Sequence, residues 1–158
     1  NKFGKKKILA LTLLGQGVGL FIVYFAPFTN MTQIMIGHWV YGIFNCGFPI
    51  CLAMVADCVD YWEDKTGIRQ DGSYYATYGL STKLGNAIGG AVGILAIGLV
   101  GFKANTQMST ATLTKMNAVI NFGPAIMFLM AAVLFALNGM TNELGRENEE
   151  KLKEKMVE

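Results

Sequence analysis

Charge is what this sequence has least of. Of its 158 residues, 15% are Asp, Glu, Lys or Arg, against about 25% in a soluble domain. The shortage is concentrated: residues 8–56, 84–102 and 116–142 contain no charged side chain at all. A water-soluble fold needs solvated positions every turn or two of its surface, so these runs exclude a soluble globular domain. Cysteine is scarce as well. Cys46, Cys51 and Cys58 match no zinc spacing, and on one helix Cys51 and Cys58 lie two turns apart, beyond disulfide reach. They read as small apolar packing residues. Histidine occurs once, at His38. With no nucleophile–base pair, no metal-ligand spacing and no phosphate loop, chemistry on a substrate is poorly supported, and the chain reads as no enzyme. A net charge of +2, with no basic run interleaved with aromatics, gives no nucleic-acid footprint. Neither an initiator Met nor a signal peptide is present. The opening Asn1-Lys2-Phe3-Gly4 reads like the middle of a loop, so the expectation is a piece of a longer protein.

What is present is apolar: 53% of residues are hydrophobic and the mean hydropathy is +0.39. About 20 apolar residues cross a bilayer as a helix, and the pattern predicts four such spans, an all-α membrane protein. The first covers residues 6–26 and stops at Pro27, which cannot continue the hydrogen-bond ladder. The second covers 31–61, with a bend expected at Pro49. The third covers 73–102, and the fourth 114–137, with Pro124 inside it. Residues 141–158 form a charged tail of helical character, with Glu147/Lys151 and Glu149/Lys153 as i,i+4 pairs.

Basic residues orient these spans. With four crossings, Lys2, Lys5, Lys6, Lys7, Lys65, Arg69, Arg146, Lys151, Lys153 and Lys155 share one side, and only Lys103 and Lys115 the other. Both termini and the loop around residues 57–72 are therefore expected in the cytoplasm, with the protein in the cell (inner) membrane. Gly15/Gly19 and Gly85/Gly89/Gly93 repeat every fourth residue, the spacing that lets helix backbones approach closely in lipid.

An ionisable group inside a span needs a reason. Lys83 falls about ten residues into the third span, roughly 15 Å along its axis. It either snorkels or faces a wet cavity, and Tyr75, Gly79, Thr82, Asn86 and Gly90 on the same stripe favour the cavity. Asp57 and Asp60 are i,i+3 near the C-terminal end of the second span, where negative charge opposes the helix dipole. Pairing with Lys65, Arg69 or a basic group from elsewhere offsets this, and the expected result is a cytoplasmic charge network. His38 beside Trp39 reads as an interfacial or hydrogen-bonded packing residue. Asn117 and Asn121, i,i+4, suit interhelical hydrogen bonds better than ligand contact. Phe48, next to Pro49, is equally consistent with a sugar-stacking aromatic and with a core residue.

The run Met54-Val55-Ala56-Asp57 through Asp60-Tyr61-Trp62-Glu63, Lys65-Thr66-Gly67 and Arg69, then Lys83-Leu84-Gly85 and Gly89-Gly90, resembles the glycoside–pentoside–hexuronide:cation symporters. These are the melibiose-permease and glucuronide-carrier group of the major facilitator superfamily. The resemblance covers nearly the whole chain and implies the last four of twelve transmembrane helices plus a cytoplasmic tail. It implies a secondary transporter coupling sugar uptake to sodium or proton flow. Lys83, Phe48, Gly79, Thr82 and Asn86 would lie at the sugar pocket, and Asp57, Asp60 and Arg69 in a cytoplasmic gate. No cofactor is implied; the coupling cation is expected on carboxylates of early helices outside this sequence. The implied partners are the sugar, the cation, the bilayer and those missing helices. Two positions depart from the group: Trp62 stands where a small residue is common, and Gly79 offers no side chain to a sugar. The alternative reading is a small membrane scaffold subunit that packs through its glycine faces.

Overall fold

A computed structural model describes residues 5–137 together with Glu150, Lys151 and Glu154. The charged tail at 141–158, with its two i,i+4 pairs, lies largely outside the described residues. The chain forms α1 (Lys5–Tyr24), α2 (Met31–Ile43), α3 (Gly47–Thr66), α4 (Asp71–Leu99), α5 (Thr110–Asn117), a π-helical turn (Ala118–Phe122) and α6 (Gly123–Leu137). Four units are long and apolar enough to cross a membrane: Lys5–Tyr24, Met31–Thr66, Asp71–Leu99 and Thr110–Leu137. The chain is all-α, with no strand among the described residues.

The core lies along α1, which is held between α2 and α6. Gly19 and Gly37 sit at the α1–α2 crossing, where a Cβ on Gly19 would come within 2.6 Å of the Tyr41 backbone nitrogen. Removing two side chains lets the backbones touch, the small-residue logic read from Gly15/Gly19. Gly15 faces the ring of Phe44, and Gly17 faces Ala125 and Leu129 of α6. At one end of the bundle, Phe21 and Tyr24 pack against Phe122 with ring centroids 5.8 and 5.0 Å apart. The second glycine set behaves differently: a Cβ on Gly85, Gly89 or Gly93 would meet nothing within 4 Å, since the main contacts of α4 among the described residues are with α3 and the π-helical turn.

Several boundaries differ from those read in the sequence. The second span is broken rather than bent. α2 ends at Ile43 and α3 begins at Gly47, so Pro49 occupies the first turn of α3. A proline ring clashes with the carbonyl four residues earlier, here Asn45, which moves the break one turn towards the N-terminus; in a first turn the missing N–H has no partner to lose. Cys46 therefore lies in the break and not on a helix. The span also runs to Thr66, five residues beyond the expected end, and closes on Gly67 in the left-handed conformation (φ 70°), which glycine adopts freely. α4 stops at Leu99, short of 102, with Gly101 at φ 90° just after it. The fourth span starts at Thr110, not 114, because the Ser109 hydroxyl accepts the Thr112 N–H at 3.2 Å and caps the helix ahead of its apolar stretch. Ahead of Pro124, the chain passes through the π-helical turn, and the Gly123 N–H donates to the Ala118 carbonyl.

Candidate substrate face and charge clusters

The polar face of α4 is built by spacing alone. At about 100° per residue, Tyr75, Gly79, Thr82, Lys83, Asn86 and Gly90 fall within a sector of about 100° near the middle of the 29-residue helix. Leu84, Ile88, Leu95 and Leu99 occupy the opposite side and are 53%, 62%, 66% and 89% exposed. The helix thus carries a polar stripe and an aliphatic one. Lys83 and Asn86 are exposed on this chain and make no hydrogen bond or ion pair among the described residues. Thr82 donates its hydroxyl proton to the Tyr78 carbonyl at 2.9 Å, leaving its oxygen lone pairs outward.

Phe48 reaches this face from α3. It is 63% exposed, and its ring lies 6.3 Å from that of Tyr78, centroid to centroid. Tyr78 borders the polar sector of α4. Phe48 is thus no core residue of this chain; it flanks the stripe that carries Lys83, Gly79, Thr82 and Asn86.

Among the described contacts, the acidic residues fall into two groups. Asp57 pairs across the bundle with Lys5 at 2.6 Å, and Lys5 also donates to the Ala53 carbonyl at 3.3 Å. Asp60 belongs to a second cluster around Arg69, whose guanidinium meets Asp60 at 3.2 Å, Glu63 at 2.7 Å and Asp71 at 2.7 Å. Asp60 and Glu63 lie on the last turns of α3, and Asp71 opens α4. Arg69 therefore ties the end of one span to the start of the next. The hydrogen bond to Asp71, then that to Glu63, raises the Arg69 pKa further above its ordinary value and keeps it charged. Locally, the Gly67 N–H donates to the Glu63 carbonyl at 2.8 Å, and the Thr66 hydroxyl donates to the Trp62 carbonyl at 2.8 Å. The Lys-Thr-Gly turn thereby folds Arg69 back onto α3. Lys65 takes no part in this cluster in the described contacts; its ammonium lies 4.6 Å from the Tyr61 ring centre.

Other polar residues hold the bundle. Asn117 donates to the Tyr24 carbonyl at 2.9 Å and accepts from Asn121 at 2.7 Å, the interhelical bonding expected of this pair. His38 donates through Nδ1 to the Ile34 carbonyl at 2.9 Å, within its own helix. Four contributors were not singled out by sequence reasoning. Lys5 counted only towards orientation, and Glu63 and Asp71 only as part of an acidic stretch. Gln16, 4% exposed, donates to the Phe44 carbonyl at 3.0 Å; an amide inside an uncharged span was the available signal, since buried polar groups in lipid need partners.

Residues 1–141 match the family described as MFS/sugar transport protein. The chain belongs to that family. It is 31% identical over 143 residues to a candidate sulfoquinovose importer of Escherichia coli (strain K12), covering 89% of this chain and 30% of that protein. It is 30% identical over 136 residues to the isoprimeverose transporter of Lactiplantibacillus pentosus, covering 84% and 28%. It is 28% identical over 147 residues to the glucuronide carrier protein homolog of E. coli (strain K12), covering 92% and 32%. The chain spans about 30% of the length of these curated relatives. No solved structure matches it significantly. The relatives are transporters and not enzymes, and the chain is an integral membrane protein of a sugar-transport family.

Proposed function

We propose that this chain is the C-terminal part, the last four of twelve helices, of a secondary active transporter. It couples uptake of a glycoside, pentoside or hexuronide to symport of sodium or protons by alternating access. The observation that carries this reading is the polar stripe of α4, with Lys83 near mid-helix and unpartnered among the described residues. An ammonium at that depth costs about 2.5–3.5 kcal/mol in hydrocarbon, a cost removed when the stripe lines a water-filled cleft.

In that cleft, Lys83 and Asn86 donate hydrogen bonds to sugar hydroxyls or to a hexuronide carboxylate, and Thr82 adds a hydroxyl. Gly79 leaves room for the ligand to approach the backbone, and Phe48 packs its ring on an apolar sugar face. The cleft sits between two helical halves that rock to expose it alternately. On the cytoplasmic side of the cell (inner) membrane, which both ends of this chain face, Asp57, Asp60 and Arg69 hold and release the inner gate through their ion pairs. The coupling cation binds carboxylates of the preceding helices; no resident cofactor is needed.

The test is uptake of labelled glycosides by the full-length protein in proteoliposomes, with and without a sodium or proton gradient. Gradient-dependent accumulation that Lys83→Ala abolishes is the expected result. Normal accumulation by Lys83→Ala removes Lys83 from the site, and no gradient-driven sugar uptake by the unmodified protein overturns the transport reading.

A further inference from the structure

The break at residues 44–46 lies in the uncharged part of the 36-residue span Met31–Thr66. In hydrocarbon each backbone group released by such a break needs a partner inside the protein. The break is partly self-satisfied: Asn45 N–H donates to the Gly42 carbonyl at 3.1 Å and Cys46 N–H to the Phe44 carbonyl at 2.9 Å. The remaining support comes from α1. Gln16 donates its side-chain amide to that same Phe44 carbonyl at 3.0 Å. The adjacent Gly15 leaves the space that the Phe44 ring fills. One and two helical turns earlier, Thr12 and Leu9 lie against Gly47, 3.9 and 3.6 Å from where its Cβ would stand. Two residues of α1, Gly15 and Gln16, thus seat the ring and the carbonyl of the residue at which the span breaks.

Phe48 follows the break by two residues. The direction in which α3 leaves the break fixes where its ring stands beside Tyr78 and the polar stripe of α4. We propose that Gln16 is a positioning residue: through the Phe44 carbonyl it holds the mid-span break in the form that presents Phe48 to the substrate face. Gln16 touches no substrate and acts only through the backbone it holds. The functional half of this inference rests on the sugar-carrier reading; the structural half does not.

The full-length protein is compared with its Gln16→Met variant, of similar size without the amide, by amide hydrogen exchange in nanodiscs. Loss of the bond raises exchange across residues 44–48 by about tenfold and leaves α6 unchanged. Equal exchange at 44–48 in the two proteins, or a rise spread evenly over every helix, overturns the assignment. If Gln16→Met fails to fold, Gln16→Asn, whose shorter amide does not span the 3.0 Å contact, is read in the same way.

Uptake kinetics supply the second arm. Gln16→Met raises KM for the transported sugar by about five- to tenfold with a smaller change in maximal rate, and the Gln16→Met/Phe48→Ala pair is no worse in KM than Phe48→Ala alone. Additive losses in the pair, or a fall in maximal rate at unchanged KM, overturn the link to Phe48. A wild-type protein that transports no sugar refutes the transport reading, while the exchange measurement still decides the role of Gln16.

Discussion

The Lys5 ammonium stands 2.6 Å from the Asp57 carboxylate and ties the first turn of α1 to α3, although 52 residues separate them. Asp57 thus pairs outside the Arg69 cluster, and this end of the bundle carries two clamps, one between neighbouring helices in space and one between helices adjacent in sequence. Both partners remain partly exposed, at 38% and 25% of their side-chain surface, which limits the pair to about 1 kcal/mol. Lys5→Ala is therefore expected to lower the detergent-solubilised unfolding temperature slightly, and the exchange Lys5→Asp with Asp57→Lys to recover most of that loss. Equal unfolding temperatures for Lys5→Ala and the wild type would show that the pair is energetically silent.

Arg69 meets three carboxylates at once, a geometry that a planar, forked guanidinium supports and a lysine ammonium does not. Arg69→Lys is expected to behave like Arg69→Ala and to shift the full-length protein towards its inward-open form. The readout is the labelling rate of a Thr82→Cys reporter by a thiol reagent added from the cytoplasmic side, and an unchanged rate argues against a gate. Neutralising Asp57 and Asp60 together is expected to move the same rate in the same direction.

The raised pKa of Arg69, caused first by Asp71 and then by Glu63, fixes a sign. A basic group whose folded-state pKa is raised stabilises fully below its unfolded value and loses that contribution only as pH climbs through the folded one. Alkaline titration to about pH 11 thus leaves Arg69 protonated, and the reporter rate, divided by the thiolate fraction of the reporter cysteine, is expected to stay flat on that account; a step near pH 10 in the corrected rate would assign the clamp to another cation.

Glycine positions divide sharply. Gly19→Ala puts a methyl 2.6 Å from the Tyr41 nitrogen and 2.9 Å from the Gly37 carbonyl, backbone atoms that cannot give way without parting the helices, and is expected to cost about 1–3 kcal/mol. Gly42→Ala, on α2, meets nothing within 4 Å and is expected to be neutral or to gain up to about 1 kcal/mol from helix propensity. Thermal unfolding of the two variants side by side checks this, and equal stabilities would deny the close crossing.

Asn117 bridges the end of α5 to the last carbonyl of α1 at 2.9 Å while accepting from the buried Asn121. Asn117→Leu leaves both partners short of a bond and is expected to cost about 1–3 kcal/mol. Asn117→Asp keeps the acceptor for Asn121 but loses the donor to Tyr24, and is expected to fall between. A Leu variant as stable as the wild type would show that the π-helical turn holds without this anchor.

Much of the chain was legible because lipid imposes a simple rule. Long uncharged runs gave the spans, and the four-residue spacing of Gly15 and Gly19 marked a close helix crossing that the structure realises at Gly19 and Gly37. The same spacing at Gly85, Gly89 and Gly93 found no partner here, since periodicity marks a face without saying what covers it. Pro49 signalled an irregularity but not its place: the clash acts one turn upstream, and the ring itself is tolerated in a first turn. Ser109 and Gly67 were readable as caps, yet hydropathy drew the boundaries elsewhere.

The sequence by itself determined what is local or solvent-driven: an all-α membrane chain, the polar stripe of α4 fixed by helical period, and the turn that folds Arg69 back between α3 and α4. Only the tertiary structure decided which distant groups meet. Lys5 chose Asp57, Gln16 took the Phe44 carbonyl, and Phe48 came to stand beside Tyr78. Those pairings depend on how helices cross and where a backbone opens, and a one-dimensional pattern of charge and hydropathy carries no term for the direction in which one helix faces another.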